Sequence, residues 1–512
     1  MRPFGIILVW TCAGSAFAQT PGATQTSSGS GTAATILPAS GRNNQGGSVG
    51  ATEQPVPGTT TSVNTLNPSV AISGPYGGSM RSTAAMPFSG KLSFDEALQR
   101  GLTYNLGAVG LAQSARQNSA QVRVARSALL PNINGSLSET VEQTDLAAFG
   151  LRFSVAGFHI ATVVGPYNYF ALQASLSQNV ANLTAIDNYR SAKATARASQ
   201  YSLLDARDLV TLAVGGAYLQ VLAAQARVDS AQAQLDTANA VFHQSSEQHQ
   251  EGVLGRLNVD QSQLQTLAQQ QQIITLRTDL AKQKINLARL TGLPPNPEYQ
   301  LTDNFPFSPA PVQNVEDAVT RAEQQRADLK AAQSQVEAAA KALAAARAER
   351  LPSASVSGYY EAIGTNPSES HGAFSVVGTL NIPIWQGGKT GADITQAEAV
   401  LAQRQAELED TRAQVEAEIR EVYLDLEAAA GQVEVARKNV DVAQETLQMT
   451  RARMEAGVIN TVEVVQAQQT VSSAQLDLIN SVFAHNLAKL SLARELGHAT
   501  EQLPALLKPQ AR

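Results

Sequence analysis

The sequence predicts a mostly α-helical chain with β-hairpins, arranged as two internal repeats. Two observations carry this reading. AYLQVL around Tyr218 answers to VYLDLE around Tyr423, an offset of 205 residues that also links Gly252 with Gly457 and Lys284 with Lys489. Within each copy, the apolar pattern changes from helical spacing to strict alternation and back again. The 205 register holds without a gap from Tyr218 to Gly292. Upstream, Ala97 pairs with Ala318 and Leu130-Pro131 with Leu351-Pro352 at an offset of 221, so an insertion of 16 residues lies between Pro131 and Tyr218. A unit this long is a duplicated domain, since solenoid repeats run to roughly 20 to 50 residues.

Residues 1–18 read as a secretory signal peptide, with Arg2 at its positive end, an apolar run from Phe4 to Val9, and Ala16-Phe17-Ala18 as the cleavage site. The single cysteine, Cys12, lies inside it, and Val9-Trp10-Thr11 fits a lipoprotein box poorly. Cleavage after Ala18 leaves no thiol for disulfides, metal sites or nucleophilic catalysis. Residues 19–90 are rich in Ser, Thr, Gly, Ala and Pro. They hold too little apolar surface to offset their ordering entropy and are expected to be disordered. No later stretch has 18 continuous apolar residues, so an exported chain of this kind is either soluble or a β-barrel. A net charge of −6 over 512 residues gives no case for nucleic acid.

The first repeat spans 91–293, a Pro-rich linker 294–311, the second repeat 312–498 and a tail 499–512. Each repeat opens with an Ala-rich amphipathic helix, Ser93 to Leu129 or Val315 to Arg350, that stops at a Leu-Pro step. Alternation follows. In the second copy Phe374, Val376, Gly378, Leu380 and Ile382 alternate with Ser375, Val377, Thr379 and Asn381, and in the first Phe170, Leu172, Ala174 and Leu176 alternate with Gln173, Ser175 and Ser177. Such hairpins, with aromatic residues near their ends, suit either a transmembrane barrel or a soluble sheet with one buried face. Tyr167, Tyr169, Tyr359, Tyr360 and Trp385 are candidates for the interfacial girdles. The insertion is expected in the first hairpin's loop.

Long helices follow, from about Thr184 to Gln250 and from Lys389 to Glu455, without proline. Each would be roughly 100 Å long. Each ends in a glycine turn, at Gly252-Val253-Leu254-Gly255 or Gly457-Val458-Ile459-Asn460, and returns as a shorter helix. The opening and return helices, at about 37 residues each, stack to roughly the length of one long helix. Four strands per chain are too few to close a barrel, so a pore requires an oligomer, and three chains supply twelve strands.

In the order of these parts the chain resembles the outer-membrane efflux protein family, the TolC-like channels. The resemblance rests on LSFDEALQRGLTYN (Leu92 to Asn105), the two Leu-Pro strand entries, LNIPIWQGGKTGADITQAEA (Leu380 to Ala399), the paired Gly-Val turns and SLARELG (Ser491 to Gly497). It implies a homotrimer in the cell outer membrane, with a 12-stranded β-barrel continuous with an α-helical barrel across the periplasm. The implied function is the passive exit duct of a tripartite efflux pump or type I secretion system, partnered by a periplasmic adaptor and an inner-membrane transporter.

The glycine turns are the candidate adaptor-docking tips. Gly252 and Gly457 serve as helix terminators, while Val253, Leu254, Val458 and Ile459 would be apolar groups exposed at a tip. Glu463 has two readings. With Asn460 it is close to a capping box, and the resemblance implies that an acidic residue here can narrow the periplasmic entrance. Gln466 and Asn258, the equivalent of Glu463 in the first copy, complete the candidate gate and are neutral. Tyr218 and Tyr423 are assigned packing alone. Six scattered histidines, no Walker-type phosphate loop and no Ser/His/Asp set point to no metal, no cofactor and no catalysis. The alternative is a periplasmic adaptor with long coiled-coil hairpins, although adaptors normally flank one hairpin with β-rich domains.

Overall fold

In a computed structural model the described residues are 48–56, 65–81, 88–150, 154–155, 158–159, 162–304, 306–309, 314–456, 458–459, 461–497, 499–500, 503 and 507, all within one compact unit. The expected signal peptide with Cys12, residues 19–47, and the turn residues Gly457 and Asn460 lie outside them.

The described residues begin with a hairpin, β1 (Val49–Val56) and β2 (Thr65–Ile72), then a short β3 (Lys91–Leu92). The first repeat continues with α1 (Phe94–Tyr104), α2 (Leu106–Ser127), β4 (Asn132–Asp145), the short β5 (Ser154–Val155) and β6 (Phe158–His159), β7 (Val163–Ala181), α3 (Leu183–Gln250) and α4 (Arg256–Thr291). After β8 (Gln300–Leu301), which pairs in parallel with β3, the second repeat runs α5 (Val315–Gln325), α6 (Ala327–Ala348), β9 (Ser353–Gly364), β10 (His371–Asn381), α7 (Lys389–Glu455) and α8 (Thr461–Glu495). The insertion is the β5–β6 excursion between the first pair of long strands.

Residues 19–90 are therefore not without structure throughout. The β1–β2 hairpin pairs from Val49↔Ile72 to Val56↔Thr65. Val49 and Tyr76 are buried, and Val70 and Ile72 pack on the main core. Composition missed this because the apolar groups are few but matched to grooves prepared elsewhere. A Cβ on Gly216 would lie 2.4 Å from Val70, and one on Gly107 2.3 Å from Tyr76.

Each opening helix is also broken, at Asn105 and at Arg326, two residues with extended ψ near 130° that are equivalent by the 221 offset. Asn105 makes its break tolerable: its side chain accepts from the Gly107 amide at 2.9 Å and donates to the Tyr76 carbonyl at 2.7 Å. Both opening helices stop a few residues before their Leu-Pro step. The return helices end at Gly292 and Gly497, with φ +73° and +75°, where glycine avoids the Cβ penalty.

Near the sheet the helices lie in the order α2, α3, α6, α7, and toward the turns in the order α4, α3, α8, α7. Among the described residues only α3 is apolar enough over 18 residues to cross a membrane, and 78% of that window is buried. It is the central helix of this layer, and its segment from Leu209 to Leu219 is buried all round.

Candidate functional site

Two regions have geometry that asks for a partner: the sheet at one end and the helical turns at the other. The four long strands form one antiparallel sheet in the order β10-β9-β7-β4, so its central pair, β7 and β9, joins the two repeats. Cross-strand partners share a face. Ile133↔Leu176, Leu137↔Leu172, Ala174↔Tyr360, Tyr360↔Phe374 and Gly358↔Val376 place one apolar face across all four strands. That face is bare: Ile133, Leu137, Phe374 and Val376 are 67–78% exposed. The opposite face holds Asn134, Ser136, Gln173, Ser175, Ser357, Glu361 and Ser375. A contiguous exposed apolar sheet face backed by a polar one fits a barrel wall with lipid outside.

The register corrects the girdle expectation. Tyr167, Tyr169 and Tyr359 pair with Glu142, Thr140 and Ser375 on the polar face, and only Tyr360 of the four tyrosines is on the apolar one. With a side-chain period of two, neighbouring tyrosines must separate. Trp385 follows β10 and is 86% exposed.

From Asn182, whose side chain caps α3 by accepting from the Ala185 amide, the helix rises about 1.5 Å per residue, so its turn lies roughly 100 Å from the sheet. There Gly252 adopts φ +79° and the Val253 amide donates to the Gln248 carbonyl at 2.9 Å. The equivalent bond, Val458 amide to Arg453 carbonyl at 3.0 Å, forms in the second turn. Gly255 precedes α4 in extended geometry and accepts from the Asn258 amide. Val253 and Val458 are exposed at 72% and 66%, whereas Leu254 and Ile459 are half-buried. Sequence reasoning missed Leu257, which is 69% exposed in the first turn of α4. Its signal was an apolar residue directly after the glycine turn. Glu463 and Gln466 are exposed and Asn258 is half-buried.

Between these ends the two repeats differ. Tyr218 does more than pack. Its hydroxyl lies 2.9 Å from the Asp303 carboxylate, which also accepts from the Phe94 amide, and its ring meets Phe94 edge-on. In the second repeat Arg326 is buried among Asp328, Glu418 and Glu495, with Arg494 against Glu495. Burial lowers the pKa of Arg326, but Glu495, Asp328 and Glu418 outweigh it and hold the guanidinium above its ordinary value. The equivalent positions of the first repeat are Asn105, Gly107, Ala213 and Leu290.

A sheet segment with one lipid-compatible face, carried on helices about 100 Å long, defines an outer-membrane channel protein. The family model for outer membrane efflux proteins matches residues 109–293 and 318–498, and the chain belongs to that family. It is an outer-membrane efflux channel, and the family is one of transport proteins, not enzymes. Outer membrane protein TolC of Vibrio cholerae is 24% identical over 406 residues, 77% of this chain and 88% of that protein. The Campylobacter jejuni CmeC outer membrane channel superposes with a TM-score of 0.69 at 18% identity, covering 81% of this chain and 89% of that one. The Neisseria gonorrhoeae MtrE outer membrane channel, in its open state, gives 0.65 at 16% identity over 79% and 88%.

Proposed function

We propose that three copies close into a 12-stranded barrel continuous with an α-helical barrel, and that this homotrimer is the passive exit duct of a tripartite efflux or type I secretion system. The observation that supports it most is a shared pair of open edges. The sheet ends at β4 on one side and β10 on the other, and the helix layer ends at α2 and α4 on one side and α7 on the other. First-repeat elements thus form one edge and second-repeat elements the opposite edge at every level. An unpaired strand edge inside lipid is not tolerated, so the ladder must close between copies.

The tips Gly252, Val253, Leu254, Gly255, Gly457, Val458, Ile459 and Asn460 are the proposed docking points for a periplasmic adaptor, which in turn meets an inner-membrane transporter. Leu257 joins them. Glu463, with Asn258 and Gln466 beside the same entrance, is the proposed gate. In planar bilayers Glu463→Gln is expected to change single-channel conductance and cation block. Unchanged values of both would leave Glu463 as a helix-capping group only, and a Val458→Cys variant that cross-links to no periplasmic protein in cells would remove the docking assignment.

A further inference from the structure

We propose that the face of the helix layer carrying the β1–β2 hairpin lines the duct, and that the acidic cleft beside β1 is a subsite for an organic cation in its wall. This rests on the channel reading above. Three helices separate the two faces in the same way, because residues two apart on an α-helix point about 200° apart. On α3, Val214 faces Gly101 of α1, while Gly216 faces Val70 of β2. On α8, Lys489 donates to Ser308 of the inter-repeat linker, while Ser491 lines the cleft that Val49 and Gly50 border. On α7, Tyr423 packs on the cluster that holds Ala318 and Ala322 of α5, while Glu421 and Asp425 line that cleft. So α1, the linker and α5 form a belt on one face, and the hairpin and cleft occupy the other.

The belt cannot be the inner face. A ring of twelve helices at about 10 Å spacing leaves a bore of about 28 Å, and six belt helices each about 10 Å thick would fill it. The slimmer hairpin face is left to line the duct, which three hairpins would narrow at this level.

The cleft holds about 190 Å³. Glu418 and Glu495 on its wall are balanced by Arg326 and Arg494. Glu421 and Asp425, one turn apart, have no ion-pair partner among the described residues, and burial together with Glu421 pushes the Asp425 carboxyl up. Ser491, 8% exposed, has a hydroxyl without a hydrogen-bond partner and lines the same cleft. Two uncompensated carboxylates beside an unused hydroxyl match an ammonium or guanidinium group, which donates several charge-assisted bonds at once.

The test uses the full-length channel in planar bilayers with spermidine as the probe. Spermidine should block the wild type, and Glu421→Gln with Asp425→Asn should raise the half-blocking concentration about tenfold. Both substitutions lie on an exposed helix face, so assembly can be verified by heat-modifiable oligomers, and Glu445→Gln, elsewhere on α7, should leave the block as it was. With Cys12 replaced by Ser, Ala71→Cys on the exposed side of β2 should lose conductance on reaction with a bulky thiol reagent. Undiminished conductance after full modification would put the hairpin outside the duct. Spermidine block that is absent in the wild type, unchanged in the double variant, or equally weakened by Glu445→Gln would remove the subsite. A chain that forms no channels at all would instead remove the duct reading beneath both.

Discussion

Two buried titratable groups pull the pH dependence of stability in opposite directions. Asp208 on α3 accepts from the Ala499 amide at 3.2 Å, and burial, with Asp205 beside it, pushes its carboxyl up to about 7 against the attraction of Arg494; Asp328 adds to the rise. Between pH 3.8 and about 7 the folded chain therefore keeps a proton at Asp208 that the unfolded chain releases, and stability falls as pH rises. His485 on α8 is fully buried, 4.7 Å from the Phe307 ring, with Arg437 on that ring and Lys489 one turn away. Burial and Lys489 push it down to about 4. Between pH 4 and 6.5 the unfolded chain binds the extra proton, so His485 makes stability rise with pH. The two slopes, each at most about 1.4 kcal/mol per pH unit, oppose one another. Removing one should reveal the other. Asp208→Asn should melt at a temperature that climbs from pH 4.5 to 6.5, and His485→Leu, which installs the first-repeat residue Leu280, should give a melting temperature that declines over the same range. Parallel melting profiles for the two variants would show that neither group titrates as its surroundings dictate.

At the scale of elements, the two broken opening helices solve one problem by different chemistry. Where the first repeat lets residues 76–80 pass through its notch, with Gly107 against Tyr76 and Gly292 against Tyr104 and the Met80 carbonyl, the second fills the notch with Arg326 and its carboxylates. Removing one member of a buried ion cluster strands the rest, so Arg326→Ala should cost about 3–5 kcal/mol. Writing in the first-repeat set, Arg326→Asn with Asp328→Gly, Glu418→Ala and Glu495→Leu, removes these carboxylates together with the guanidinium and leaves Arg494 with Asp205, so it should recover part of that loss. Chemical denaturation of the three proteins gives the comparison, and a quadruple variant weaker than Arg326→Ala would refute the equivalence. Neither break was legible in sequence. No proline or glycine stands at position 105 or 326 itself, although Gly101 and Gly107 flank Asn105. The long helices and the paired strands were legible because period and duplication repeat over tens of residues. The β1–β2 hairpin was not, since what holds it, Gly216 and Gly107, lies far along the chain and carries no local pattern. At the tips the sequence exposed Val253 and Val458 but overstated Leu254 and Ile459, which are half-buried, Ile459 against a cluster that includes Met454 and Val464.

For the whole molecule, the proposed trimer has a counterpart on the surface of the helix layer. On α4, Leu257, Leu264, Leu267 and Ile274 are 52–69% exposed; on α7, Val435, Val442 and Met449 are 55–63% exposed at seven-residue spacing. These stripes lie on opposite edges of the layer and on antiparallel helices. A heptad seam left bare is one that another helix covers. Because the edges differ, the contact in the proposed trimer would be head-to-tail, and such contacts close into a ring when the rotation allows. A substitution on either edge should then break the ring. Ile274→Glu on α4 and Val442→Glu on α7 should each convert trimers to monomers by burying an unpaired carboxylate in the seam. The mixture distinguishes this geometry from a symmetric one. An Ile274→Glu chain keeps a sound α7 edge, a Val442→Glu chain keeps a sound α4 edge, and one contact between them survives while the ring cannot close. Native mass spectrometry of the mixed variants should therefore show one-to-one pairs that neither variant forms alone. Trimers from either variant alone, or monomers from the mixture, would show that α4 and α7 are not the surfaces that meet.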